Sequence, residues 1–106
     1  MKKESDRQKK KIMNLLLRNN NIININNEYK YKDVNLKFKF NVNFLDQINN
    51  IVITGFKQIK DEQYFISKEI NILEIKSEKY FCQKVEEILR QIEKILKTKI
   101  NQLKLF

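Results

Sequence analysis

A short run of alternating tyrosines and lysines, YKYK at residues 29–32, holds the residue types in this chain best suited to chemistry. Aromatic rings stack on unpaired bases and ammonium groups neutralise phosphates, a combination typical of proteins that bind single-stranded nucleic acid. The sequence therefore predicts a candidate nucleic-acid contact made of Tyr29, Lys30, Tyr31, Lys32, Lys37 and Lys39. In the alternative, the tyrosines cap a core and the lysines are solvated. The six basic and six acidic residues of 33–77 favour that alternative.

The remaining reactive residue types form no catalytic or metal-binding motif. The chain has no histidine, the commonest general base and a frequent metal ligand. Its single cysteine, Cys82, is too few for a zinc site and is expected to pack beside Phe81. A single glycine excludes the glycine-rich loops that wrap phosphates. We therefore expect a protein that is not an enzyme and that uses no cofactor, no metal and no small-molecule substrate.

Length, charge and cysteine usage narrow the class of protein. The 106 residues suffice for one small domain. The net charge of +9 is concentrated at the two ends, with nine basic and three acidic residues in 1–32 and seven and four in 78–106. A lone cysteine fits a reducing compartment, so we expect a nuclear location, with the cytoplasm as the alternative. No apolar stretch approaches the length of a membrane span, so no membrane contact is expected.

The elements that must position these residues follow a charged N-terminal segment. Residues 1–10 lack apolar residues after Met1, which predicts a disordered basic tail. Residues 12–17 are a short apolar run that fits either a buried strand or a helical turn. Isoleucines set among asparagines at residues 22–25 suggest a strand. Asn26 and Asn27 predict a turn after it, because asparagine tolerates left-handed backbone angles.

The middle of the chain has the patterns of β-structure. Residues 33–44 alternate polar and apolar side chains, which predicts a long strand with one face on a core. Residues 51–59 and 63–75, separated by a polar turn, predict a hairpin. Gly55 lies within the first strand of this hairpin. A glycine there indicates a bulge, the sharp bend of a small barrel, or the close approach of another backbone.

After Ser77 the apolar spacing changes to three and four residues, which predicts one helix from about residue 78 to 104. Such a helix is about 40 Å long, longer than a barrel of short strands is wide. Its apolar stripe is therefore expected to pack against a helix of a partner. The candidate interface consists of Phe81, Val85, Ile88, Leu89, Ile92, Ile95, Leu96, Ile100 and Leu103. In the alternative, the helix lies wholly across its own sheet.

Strands followed by one long helix predict a mainly β fold with a C-terminal α-helix. We expect a small five-stranded barrel of the oligonucleotide/oligosaccharide-binding (OB) type over residues 11–76 and an interaction helix over 77–106. The segment IVITGFKQIKDEQYFISKEINILEI, followed by EKYFCQKVEEILRQI, resembles the end of the barrels in the small and middle subunits of replication protein A. It also resembles the corresponding subunits of CST-type and ciliate telomerase-associated heterotrimers. The likeness covers residues 48–95, with Ile51, Ile53, Gly55, Tyr64, Ile66, Ile70 and Ile72 at matching positions.

The resemblance implies a non-catalytic scaffolding subunit of a heterotrimer that binds single-stranded DNA in replication or at telomeres. Its partners would be larger OB-fold subunits held through a bundle of C-terminal helices, and the DNA would be contacted mainly through the complex. Two alternatives remain open. One is a basic RNA-associated component of a ribosome or other ribonucleoprotein, and the other is a small inhibitor that covers another protein's surface.

Overall fold

Two helices pack on one face of a five-stranded sheet in the computed structural model of the chain. The structure describes residues 4–72, 75 and 77–103, with the backbone alone at Leu103. The elements in chain order are α1 (Glu4–Leu16), β1 (Ile22–Ile25), β2 (Glu28–Tyr31), β3 (Val34–Val42), β4 (Ile48–Ile59), β5 (Glu62–Asn71) and α2 (Glu78–Leu103). The predicted mainly β chain with a C-terminal helix is confirmed.

The strands form an antiparallel meander in the order β1-β2-β3-β4-β5. Within the described residues β1 and β5 are the two edges, so the sheet is open. Side chains alternate between its faces. Leu36 and Ile53 are buried on the face that the helices cover, whereas Lys37 and Thr54 belong to the opposite face. We call these two surfaces the covered face and the open face.

Tight turns join the strands and set their pairing. Asn26 and Asn27 connect β1 to β2 with φ values of 53° and 63°, which confirms the predicted asparagine turn. Two successive left-handed residues suit a two-residue hairpin because their twist matches that of the flanking strands. Lys32 and Lys60 also have positive φ in the turns after β2 and β4. The predicted hairpin of residues 51–75 is observed as β4 and β5, whose turn lies at Lys60 and Asp61.

Residues 4–10 are helical, so the predicted disordered tail is wrong over this range, and residues 1–3 lie outside the described part of the chain. The segment assigned to a barrel from residue 11 begins with the rest of this helix, and the first strand starts at Ile22. Ile12, Leu15 and Leu16 are buried on one side of α1. The lysines and Arg7 lie on the exposed side of α1, so the segment is an amphipathic helix. The prediction of disorder relied on the high content of charged residues in 1–10 and did not consider their helical spacing.

The second helix lies along its own sheet. Phe81, Val85, Leu89, Ile92 and Leu96 are buried in the core that the sheet and α1 share. The expectation that the helix outgrows its body is wrong because it assumed short strands. β4 has 12 residues, about 40 Å at 3.4 Å each, and α2 has 26, about 39 Å at 1.5 Å each.

The only glycine of the chain marks the place where α2 approaches the sheet most tightly. Gly55 is buried on the covered face, opposite Leu36 of β3. A Cβ at this position would overlap Ile92 Cγ2 and come within 3.0 Å of Val34 Cγ1. The glycine therefore accommodates a helix side chain, in place of the barrel bend or second backbone that its position in the sequence predicts.

Candidate nucleic-acid interface

The open face carries one row of side chains that crosses all five strands. The strand register places Ile23, Lys30, Asn35, Phe56 and Phe65 in line, one from each strand in order. Phe56 and Phe65 are direct partners on β4 and β5. Side chains that face each other in this way have Cβ atoms about 4.5–5.5 Å apart. The row therefore ends in two neighbouring phenylalanines on β4 and β5.

These rings are open to solvent. Phe65 is 64% exposed and Phe56 is partly exposed. The ammonium group of Lys37 lies 5.1 Å from the centre of the Phe56 ring. A cation at this distance from an aromatic face is attracted by the ring quadrupole, which helps to hold the ring in place. The arrangement brings an aromatic platform and a positive charge together on an uncovered surface.

Two further rows lie beside the aromatic pair along β3. The first row consists of Lys37, Thr54 and Ser67, and the hydroxyl oxygens of Thr54 and Ser67 are 2.7 Å apart. The second row consists of Lys39, Val52 and Glu69. Within the described residues, Lys30, Lys37 and Lys39 make no ion pair with a carboxylate. Their charges are therefore available to a ligand on the open face.

A chain of amides closes the far end of the face. The Asn41 side-chain amide donates to Asn50 Oδ1, and the Asn50 amide donates in turn to Glu69 Oε1, each at 2.5 Å. These bonds hold the acidic side chain of Glu69 toward Asn50. The face thus has aromatic rings at one end, lysines along its middle and fixed amide groups at the other end.

The structure divides the six predicted contact residues between the two faces. Lys30, Lys37 and Lys39 are exposed on the open face. Tyr31 is 1% exposed on the covered face, and Tyr29 packs edge-on against Phe38 with ring centres 5.3 Å apart. Lys32 also lies on the helix side, with its ammonium group 3.4 Å from Glu93. The tyrosines thus adopt the alternative arrangement, in which they cap the core.

The aromatic residues of the open face are not the ones that sequence reasoning selected. Phe56 and Phe65 were missed because they lie within segments read as core strands. A signal for them exists in the sequence, since Phe56 has the opposite parity to Ile51 and Ile53, and Phe65 the opposite parity to Ile66. An aromatic residue on the solvent parity of a strand is the pattern that would have located the platform.

A polar cluster fixes β2 against α2. Glu86 accepts hydrogen bonds from the Tyr31 hydroxyl at 3.0 Å, from the Asn19 amide at 2.5 Å and from Arg90 Nε at 3.1 Å. Burial alone would raise the pKa of Glu86, but these hydrogen bonds and the Arg90 charge outweigh it and hold the pKa below its usual value. Burial, followed by the bond to Glu86, raises the pKa of Tyr31. By anchoring Tyr31 inward, the cluster leaves its strand neighbour Lys30 on the open face.

The candidate partner-helix interface is largely occupied by the chain itself. Six of its residues are at most 4% exposed in the core: Phe81, Val85, Ile88, Leu89, Ile92 and Leu96. Ile95 and Ile100 are partly exposed, and the side chain of Leu103 lies outside the described residues. A partner helix could contact the six buried residues only by displacing the sheet. The part of the predicted interface left for a partner is the end of α2.

In the part of the chain that the structure describes, no group of three or more histidine, cysteine or acidic side chains is arranged to hold a metal ion. Cys82 is partly buried, with its sulfur 3.9 Å from the Leu15 carbonyl oxygen. Neither α1 nor α2, over its described residues, is long and apolar enough to cross a bilayer.

Comparison of the chain with protein-family models, with curated proteins and with solved structures finds no match.

Proposed function

We propose that this chain is a non-catalytic protein that binds single-stranded DNA on the open face of its sheet. The observation that carries the proposal is the uncovered pair of Phe56 and Phe65 beside three lysines that form no ion pair within the described residues. Exposed rings stack on bases of any sequence, and lysines follow the phosphate backbone. Single-stranded DNA is the nucleic acid that the resemblance to OB-fold subunits implies.

A solvated sheet face needs no aromatic residues, and this supports a binding role. The outer face of an antiparallel sheet is usually polar where it meets water. Here the outer positions of β4 and β5 include a phenylalanine that is 64% exposed. Such a side chain contributes little to the core, so its place on the open face is explained better by a ligand that covers it.

Charge supports a ligand with phosphates. Lys30, Lys37 and Lys39 face Glu28 and Glu69 on the same surface, so the local balance is positive. The whole chain carries +9, which attracts a polyanion from a distance. The neutral balance of residues 33–77 does not describe this surface, because it also counts charges on the covered face and in the turns; of that segment's charged residues, the open face carries Lys37, Lys39 and Glu69.

Assembly into a heterotrimer with larger OB-fold subunits is a separate proposal. It is supported by the C-terminal part of α2, where Ile95 remains partly exposed beside the buried stripe and Ile100 remains partly exposed beyond it. The contact it offers is small, so a partner would have to engage neighbouring surface as well. We place this scaffolding role second because most of the apolar stripe is satisfied within the chain.

The test is fluorescence anisotropy with a labelled ten-residue oligothymidylate, repeated with oligouridylate to measure any preference for RNA. The double variant Lys37→Glu/Lys39→Glu should weaken binding at least tenfold and reduce the log–log salt slope by about 1.4, since each phosphate contact contributes about 0.7 for single strands. Lys94→Glu/Lys97→Glu is the matched control, because it makes the same charge change on exposed positions of α2.

The control should bind within about twofold of the wild type. Two results would contradict the proposal: no binding of either oligomer by the wild-type chain at 50 mM salt, or equal losses in both double variants. Equal losses would show that net charge alone attracts the nucleic acid, with no role for the open face.

A further inference from the structure

We propose that the loop between β3 and β4 is a second stacking point for the same DNA strand, with Phe44 as its ring. The inference rests on the proposed function and extends its site. The bound strand would run along β3, from the Phe56–Phe65 pair past Lys37 and Lys39 to Phe44. The loop consists of residues 43–47 and is called the β3–β4 loop below.

The β3–β4 loop is ordered by its own hydrogen bonds. Asn43 N donates to the Gln47 carbonyl at 2.8 Å, and Asp46 N donates to the Asn43 carbonyl at 3.1 Å. The Asn43 side-chain oxygen accepts from Leu45 N at 2.9 Å and from Gln47 N at 3.0 Å. One asparagine therefore organises the whole loop. A side chain at the tip loses little backbone entropy when it binds a ligand, because the loop is already formed.

Side chains of helix α1 hold the loop through hydrogen bonds. Ser5 Oγ donates to Asp46 Oδ1 at 2.6 Å, and Gln8 Oε1 accepts from Ile48 N at 2.8 Å. Asp46 has a φ of 60°, a left-handed conformation that a non-glycine residue adopts at some cost. The contact with Ser5 helps to hold it there. The first two turns of α1 are thus part of the support of the loop.

The loop displays apolar side chains that the chain does not cover. Phe44 is 95% exposed and Leu45 is 62% exposed, and Val42 at the end of β3 is 48% exposed. Because the loop is ordered and the Phe44 ring is almost fully exposed to water, the ring can contact a ligand without rearrangement of the loop. Phe44 and Phe65 are the exposed phenylalanines of the described residues, and Phe56 beside Phe65 is partly exposed.

The spacing suits one extended strand of nucleic acid. Asn35, which lies in the row of Phe56 and Phe65, is seven residues from Val42 at the end of β3, about 24 Å at 3.4 Å per residue, and Phe44 follows two residues later in the loop. Lys37, Lys39 and Asn41 lie between them on the open face. Single-strand-binding domains of this size contact about 4–16 nucleotides, so a strand that reaches both aromatic sites falls within that range.

Charge near the loop favours a phosphate backbone. Residues 4–11 of α1, which is anchored to the loop, include Arg7, Lys9, Lys10 and Lys11 against Glu4 and Asp6. Lys9 lies 5.6 Å from the ring of Phe40 on β3. Lys9 also lines one groove with Lys39 and Val42, so a cation of α1 lies beside the end of β3. A strand that leaves Lys39 toward Phe44 therefore meets a further positive charge.

The experiment compares oligothymidylates of three and ten residues with the full chain and its Phe44 variants. Phe44→Ala should weaken binding of the ten-residue oligomer roughly 5–100-fold, the range expected for one stacked base. It should leave the three-residue oligomer unchanged, because that oligomer cannot reach from the Phe56–Phe65 pair to the loop. Phe44→Trp should retain affinity, whereas Phe44→Leu should lose it, since leucine is apolar but cannot stack.

Phe65→Ala separates this inference from the proposed function, since it should weaken both oligomers. If Phe65→Ala weakens binding and Phe44→Ala changes neither oligomer, the open face binds DNA and the inference about the loop is overturned. Retention of affinity by Phe44→Leu would also overturn it, because it would show that position 44 contacts the DNA only as an apolar side chain and not by stacking. Failure of the wild-type chain to bind any oligomer removes both proposals together.

Discussion

Phe56 and Phe65 lie directly opposite each other on neighbouring strands, on the face of the sheet that no helix covers. The same row continues through an asparagine and a lysine to Ile23 on β1, so polar side chains separate the two phenylalanines from the apolar residue at the far edge. On the other face of the sheet, the neighbours of Phe65 pack against the hydrophobic core, and Gly55, the residue before Phe56, lies against Ile92 of α2. The pair is therefore separated from the core by the thickness of the sheet, and its mutation tests binding apart from folding.

The first prediction concerns Phe65→Ala. We expect affinity for a ten-residue oligothymidylate to fall roughly 5–100-fold, because one stacked base is worth about 1–3 kcal/mol. The free energy of unfolding should change by less than about 0.5 kcal/mol, since exposed substitutions away from special features have small effects. Anisotropy titration and urea denaturation measure the two quantities on the same preparation.

The matched control for this change is Ile25→Ala. Ile25 is also 64% exposed on the sheet but lies on β1, at the opposite edge from Phe65. It should leave DNA affinity unchanged. An equal loss of affinity in the two variants would show that exposed apolar area in general, and not the aromatic pair, promotes the interaction.

The second prediction concerns the contact between Gly55 and α2. Gly55→Ala should destabilise the chain by about 1–3 kcal/mol, because the added methyl group would overlap Ile92 in a well-packed core. Thermal or urea unfolding of the full chain measures the change. DNA binding of the folded fraction should be retained, since Gly55 lies on the covered face.

A double-mutant cycle with Ile92→Leu identifies the clash as the cause. Leucine keeps the volume of the side chain but lacks the methyl group on Cβ that approaches Gly55. The double variant should therefore be more stable than the sum of the two single effects predicts. Simple additivity would argue that the glycine is needed for another reason, such as a bend in β4.

The third prediction concerns pH and the cluster around Glu86. Because the pKa of Glu86 is lowered in the folded chain, its contribution to stability is present above the unfolded pKa of about 4.3. That contribution is lost as the pH falls through the lower, folded value. Glu86→Gln should therefore be less stable at pH 7 and should lose less free energy of unfolding than the wild type between pH 5 and pH 3.

Glu87→Gln is the matched control for the loss of one negative charge. Glu87 is the exposed neighbour of Glu86 on α2 and hydrogen-bonds Gln91. The free energy of unfolding of Glu87→Gln should fall between pH 5 and pH 3 by the same amount as that of the wild type.

The same cluster has the opposite pH dependence in alkali. Because the pKa of Tyr31 is raised in the folded chain, its contribution to stability is fully present below the unfolded pKa of about 10. That stabilisation falls as the pH rises through the folded value, and Tyr31→Phe should remove the alkaline slope.

Much of the architecture could be predicted from local patterns. The alternation in residues 33–44 and the three- and four-residue spacing after Ser77 correspond to β3 and α2. Each pattern is long and continuous, so one periodicity fits it and the other does not. The paired asparagines at the β1–β2 turn were equally informative, because few residues accept two successive positive φ angles.

Only the end of helix α1 was predicted, as one of two alternatives for residues 12–17, because just three of its residues have large buried apolar side chains: Ile12, Leu15 and Leu16. Met13 packs against the same core, and the earlier part of this face is polar. Ser5 and Gln8 are held by partners about 40 residues away, in the loop and at the start of β4. Composition cannot show such partners, since hydrogen bonds between distant segments exist only once the fold has formed.

The residues of the proposed binding site were harder to predict than the elements that carry them. Phe44 continues the alternation of apolar residues in β3, so the sequence alone predicts that its side chain faces the hydrophobic core. The strand ends at Val42, where the pairing with β4 shifts register, and Asn43 then turns the chain away. A single side-chain oxygen that accepts two backbone amides thereby moves the ring from the interior into water.

The packing of α1 against α2 joins the first and last described elements of the chain. Asn19 contacts Glu86 and Leu15 contacts Cys82, each across 67 positions of sequence. During synthesis, the ribosome therefore releases α1 and all five strands before the segment that closes their core exists. We expect the nascent polypeptide to carry an unshielded apolar sheet until α2 emerges, so its folding completes late and depends on protection by chaperones.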